Sequence, residues 1–91
     1  MSIAAPVRFK LRVVTSKSLL VETEADEAQI PTIEGLIGVF PGHRPLVAAL
    51  GRGTLSYRQA KYEEQFEVEG GYAEIGPESV LIFTEPAAAG D

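Results

Sequence analysis

A base beside a nucleophile, a metal cluster or a phosphate cradle would each leave a mark in a chain of 91 residues, and few residues here could form one. There is one histidine, His43, and no cysteine. Thiolate metal sites are therefore absent, and His43 lacks the histidine partners of a His-rich zinc site. No serine sits in a Gly-x-Ser-x-Gly elbow. The glycine pairs Gly51/Gly53 and Gly70/Gly71 lack the spacing and following helix of a phosphate-binding loop. Carboxylates pair at Glu22/Glu24, Asp26/Glu27 and Glu63/Glu64, where desolvation could make one a proton donor. Their polar neighbours point instead to solvated strand edges that discourage aggregation. His43, between Gly42 and Arg44, is expected to hold its turn by bonding local backbone, or to meet a protein partner. These residues predict a non-catalytic chain with no cofactor, no metal and no small-molecule substrate.

Thirteen acidic and eight basic residues give a formal charge of −5. Nucleic acid and anionic lipid are disfavoured partners, because phosphate is bound mainly through Lys and Arg. Arg8, Lys10 and Arg12 alternate along one stretch and read as a solvated strand face. The length suits one domain that buries roughly 64% of its unfolded surface, enough to fold without staples. No run nears the ~18 apolar residues that span a bilayer, and Met1 to Pro6 lacks the charged and apolar regions of a signal peptide. A soluble, cytoplasmic chain is expected.

The elements that would position any site read as strands. Val7, Phe9, Leu11 and Val13 alternate with Arg8, Lys10 and Arg12, the period-2 pattern of a half-buried strand. Thr15 to Ser18 supplies turn chemistry, and Leu19 to Val21 should pair back as a hairpin. Glu24 to Pro31 is read as strand, because Pro31 would end a helix early. Leu46 to Leu50, bounded by Pro45 and Gly51, reads as a buried strand. Thr54–Arg58 and Gln65–Glu69 form an expected hairpin around Ala60 to Glu63. Gly70-Gly71 marks a turn or bulge before a strand Tyr72–Ile75, and Val80–Thr84 is the last strand. Short strands separated by Gly or Pro predict an all-β fold, an antiparallel sandwich or flattened barrel. The domain is placed at residues 1–86 and a flexible tail at 87–91.

One stretch stands apart. Glu34 to Leu46 holds three glycines, two prolines and the only histidine, and reads as a shaped loop. Leu36, Ile37, Val39 and Phe40 lie within it, so some must pack beneath the loop or await a partner. A small ligand-binding module, such as a carbohydrate binder, is the alternative. Such modules show exposed aromatics, and here there is no Trp and only Tyr57, Tyr62 and Tyr72 as tyrosines.

The segment Glu34-Gly35-x-x-Gly38-Val39-Phe40-Pro41-Gly42-His43-x-Pro45-Leu46 resembles the hallmark of epsilon subunits of F-type ATP synthases. Leu11–Thr15 resembles that family's opening strand, Leu50–Gly53 its LxxG turn and Glu69–Ile75 its xGGxxEV hairpin, all in collinear order. The resemblance implies a sandwich of about ten strands in the rotating central stalk, coupling the γ shaft to the membrane c-ring during proton- or sodium-driven ATP synthesis. It implies subunit contacts to γ and the ring at or near Glu34, Gly38, Pro41, His43, Gly70, Gly71 and Tyr72. It also implies a peripheral position on the cytoplasmic face of a bacterial membrane, or an organellar equivalent, held there only through the complex. Many members carry a polar residue where this chain has Leu36. Most continue into a C-terminal helical hairpin that restrains ATP hydrolysis and in some binds ATP. This chain stops at Asp91, so neither property is carried over.

Overall fold

The computed structural model describes residues 7–86, so the expected tail at 87–91 lies outside the described residues. Eight strands follow one another: β1 (Phe9–Val14), β2 (Leu19–Ala25), β3 (Glu27–Thr32), β4 (Gly35–Val39), β5 (Leu46–Ala49), β6 (Arg52–Gln59), β7 (Tyr62–Ile75) and β8 (Ser79–Pro86). They hydrogen-bond in the order β2-β1-β8-β7-β6-β3-β4, with β5 added to β7. All pairs are antiparallel except β1 with β8, which runs parallel.

The fold is the expected β-sandwich, with eight strands where about ten were expected. Part of the difference lies in β7. The two segments expected on either side of Gly70-Gly71 are one strand of 14 residues. Its register against β8 shifts between Glu69 and Gly71, which makes the glycine pair a bulge. Before the bulge β7 pairs with β6, joined by β8 at Val68 and Glu69, and after it with β5 and β8. One strand thus serves both layers, and the sheet folds over at the bulge. Phe9, Leu11, Val13, Val80 and Ile82 from one layer meet Ile30, Val39, Leu55 and Val68 from the other in a single buried cluster.

Three local expectations are corrected. Glu34 to Leu46 is not one loop, because Gly35–Val39 forms β4 and pairs with β3 from Thr32↔Gly35 to Ala28↔Val39. Val39 points inward and is fully buried, Ile37 packs against the core, and Leu36, Gly38 and Phe40 face out. Glycine density had hidden a period of 2. Leu46–Ala49 is a strand but not a buried one, since Leu46 and Val47 are exposed on an edge and only the following Leu50 is in the core. Val7, expected on the inner face, lies before β1 and is exposed.

The carboxylates Asp26 and Glu27 are not a freely solvated edge. They are half-buried and tie three strands together. Asp26 Oδ1 accepts from Arg8 Nε at 2.8 Å. Its Oδ2 accepts from the backbone N–H of Ala60 at 2.6 Å, and Arg58 lies 3.5 Å away. Arg58 Nη2 donates to Glu27 Oε1 at 3.1 Å. Ala60 is the one non-glycine residue among those described with positive φ, at 54°, so this carboxylate caps a strained hairpin tip. The Ala60 N–H bond, then the Arg8 hydrogen bond and charge, hold the Asp26 carboxyl below its ordinary value of 3.8. A lowered folded pKa adds stability that is present above the ordinary value and lost as pH falls through the folded one. Urea midpoints should therefore drop as pH falls below about 4, and Asp26→Asn should flatten that drop. An unchanged acid profile in the variant would show that the clamp contributes nothing.

Candidate docking surfaces

Cross-strand register lines up side chains that are far apart in sequence. On the outer face of the β5-β7-β8-β1-β2 layer, Ala49 pairs with Tyr72, Tyr72 with Phe83, Phe83 with Val14, and Val14 with Leu19. The Tyr72 and Phe83 rings stack with centroids 5.7 Å apart and planes 15° off parallel. The Ile33 N–H donates to the Ala49 carbonyl at 3.0 Å, which carries the row past the edge of β5. Tyr72 is 41% and Ile33 70% exposed. An apolar row thus crosses five strands on the solvent side, where an antiparallel layer would ordinarily show polar residues. The next row, Val47, Glu74, Leu81, Arg12 and Glu22, is mixed and charged, which gives the apolar row a polar border.

A second surface follows the edge strand β4. Leu36 is 63% and Phe40 53% exposed, on either side of Gly38. Gly38 has no side chain to fill the notch between them, and a Cβ there would meet the Gln29 amide at 3.2 Å. The strand starts from a turn in which the Glu34 N–H donates to Thr32 Oγ1 at 3.2 Å, and Thr32 Oγ1 donates to the Gly35 carbonyl at 2.6 Å. It ends in a turn whose His43 N–H donates to the Phe40 carbonyl at 3.2 Å, while the Gly42 N–H donates to Pro77 O at 2.8 Å.

The residues expected to make subunit contacts therefore fall into two groups. Glu34, Gly38, Pro41 and His43 lie in a line along β4, with Glu34 roughly 20 Å from the far turn at about 3.3 Å per residue. Gly70, Gly71 and Tyr72 belong to the other layer, where the bulge sets the position of Tyr72. Pro41 and His43 are half-buried, so they shape the far turn as much as they present it. Sequence reasoning missed Val14, Ile33 and Phe83. The available signal was outward parity: Val14 continues the face of Arg8, Lys10 and Arg12 with an apolar side chain.

Neither surface contains catalytic geometry. The His43 Nδ1 lies 2.6 Å from the carbonyl of Arg44, the local backbone bond expected of it. Among the described residues no group of His, Asp and Glu is placed to hold a metal ion, and no helix is long and apolar enough to cross a membrane. What the arrangement can do is bind flat, rigid partners.

Residues 8–90 match the model of the ATP synthase delta/epsilon chain β-sandwich domain. The chain belongs to that family. An ATP synthase epsilon chain of Leptospira interrogans is 37% identical over 81 residues, covering 89% of this chain and 64% of the relative. That of Solibacter usitatus is 35% identical, covering 90% and 61%. The chain thus spans a little over three-fifths of these relatives. Among solved structures, a chain of the Euglena gracilis mitochondrial ATP synthase, in a complex of OSCP, F1 and c-ring, superposes with a TM-score of 0.83 at 25% identity. That match covers 92% of this chain and 54% of the other. A chain of the Tetrahymena thermophila central stalk and c-ring shares the fold, with a TM-score of 0.70 at 13% identity over 84% of this chain and 62% of the other.

Proposed function

We propose that this delta/epsilon sandwich is a non-catalytic rotor element of an F-type ATP synthase, coupling the γ shaft to the membrane c-ring during proton- or sodium-driven ATP synthesis. The observation that carries the reading is the apolar row from Ile33 to Leu19, which no strand among the described residues covers. A surface that transmits rotation needs a broad, well-packed contact on a stiff support, and here that support is a two-layer sandwich sharing one strand. In this reading the row docks on the shaft and the β4 strip, from Glu34 to His43, lies on the ring. The relatives' name and the F1 and c-ring complex of the Euglena match support the reading. The subunit would then be peripheral, on the cytoplasmic face of a bacterial membrane or its organellar equivalent.

The test is association of the full chain with folded γ, measured at low and high salt. A stoichiometric complex whose affinity changes little with salt is expected, because the contact is mainly apolar. Failure to bind folded γ would sink the proposal. Leu36→Arg should leave γ binding intact and weaken retention on the c-ring.

A further inference from the structure

A separate slot opens on the other side of the sandwich. From Tyr62 to Glu67, β7 hydrogen-bonds only to β6, and β2 pairs only with β1. Between these two open edges lies a slot of about 400 Å³ lined by Leu20, Val21, Tyr57, Glu64, Gln65 and Phe66. That volume is within the range of small-molecule sites, roughly 300–1,000 Å³. Period 2 puts Tyr62, Glu64 and Phe66 on one face of β7, and Tyr57 stands directly across from Glu64 on β6. The Tyr62 hydroxyl, outside the slot's lining, donates to Glu64 Oε2 and fixes the carboxylate across from Tyr57.

The electrostatics are one-sided. Among the described residues no Lys or Arg forms an ion pair with Glu64. Burial, then the Glu64 charge, raises the Tyr57 pKa. The hydrogen bond to Glu64 comes first in raising that of Tyr62. Both phenols therefore stay neutral around pH 7, and the slot carries the charge of Glu64 alone, on a chain of net charge −5. A carboxylate beside an aromatic side chain in a slot with apolar walls favours an ammonium head, through charge and through the attraction of a cation to a ring. The apolar walls suit an attached hydrocarbon body.

We propose that this slot binds a small organic ammonium ion with an apolar body. Its cationic head lies against Glu64 and the ring of Tyr57, and its body rests on Leu20, Val21 and Phe66. The site is independent of the rotor reading, because it shares no residue with the apolar row or the β4 strip.

The test is titration of the full chain with benzyltrimethylammonium chloride, followed by amide NMR shifts. Saturable shifts confined to Leu20, Val21, Tyr57 and Glu64 to Phe66 are expected by about 10 mM. Glu64→Gln keeps the shape, removes the charge and should lower the affinity about tenfold. Tyr57→Phe keeps the ring and should retain binding, whereas Tyr57→Leu should lose it. Benzenesulfonate, with the same ring and opposite charge, should not bind. No saturable shift by that concentration, equal binding of benzenesulfonate, or undiminished affinity in Glu64→Gln would each overturn the proposal.

Discussion

Gly71→Ala should destabilise the fold by about 4 kcal/mol, at the upper end of single-substitution effects. Gly71 has a φ of +109°, and a Cβ added there would sit 1.9 Å from the Phe83 carbonyl oxygen and 2.9 Å from the Thr84 Cα. Those atoms are backbone of the adjoining strand β8, so relief requires the two strands to part. The adjoining Gly70 provides the control. Its φ is +74° and nothing lies within 4 Å of its added Cβ, so Gly70→Ala should cost only the left-handed penalty, about 1 kcal/mol. Urea unfolding of the two variants measures the difference. Equal midpoints would mean that the bulge does not hold the strands as closely as described. Thr84 reinforces the contact by donating from Oγ1 to the Gly70 carbonyl at 2.6 Å.

Tyr72→Ala should weaken association with γ by about 2 kcal/mol, close to a 30-fold rise in Kd, as expected of an aromatic anchor at the centre of an interface. The ring lies on Phe83, which is half-buried and held by β8, so it offers a firm apolar surface with little freedom to lose. Because Tyr72 is exposed in the free chain, stability should change by less than about 1 kcal/mol. Tyr72→Phe retains the ring and should bind within a few-fold of the parent. If Tyr72→Ala binds γ as tightly as the parent, the apolar row is not the shaft contact, even if the chain does bind γ.

Local pattern carried the reading wherever a strand has one clean face. The alternation from Phe9 to Val13, the β6–β7 hairpin and the inward Val80 and Ile82 follow from period 2 and turn chemistry alone. β4 was concealed because Gly35, Gly38, Pro41 and Gly42 are turn residues by composition. In the structure Gly35 closes the turn from β3 at φ +124°, and Gly38 lies within the strand. The family motif joined Glu34 to His43 as neighbours, yet a strand puts its ends far apart, so the motif is a line and not a cluster. The apolar row was invisible for a different reason. Its members come from five strands and the turn after β3, and only the pairing of the whole sheet brings them side by side. The Asp26 clamp is likewise non-local: Arg8, Asp26 and Ala60 are brought together by the fold and by no spacing in the sequence.

The parallel pairing of β1 with β8 has a consequence for synthesis. Leu11 neighbours Val80 and Val13 neighbours Ile82, so β1 completes its inner surroundings only against β8, a strand made much later. While the chain emerges, the β1–β2 hairpin must keep Phe9, Leu11 and Val13 waiting, uncovered on one side, until β8 has left the ribosome. Such late closure between distant segments slows folding and lengthens exposure to wrong partners. The alternating Arg8, Lys10 and Arg12, set against Glu22 and Glu24 of β2, keep the other side of that nascent hairpin charged and hydrated during the delay.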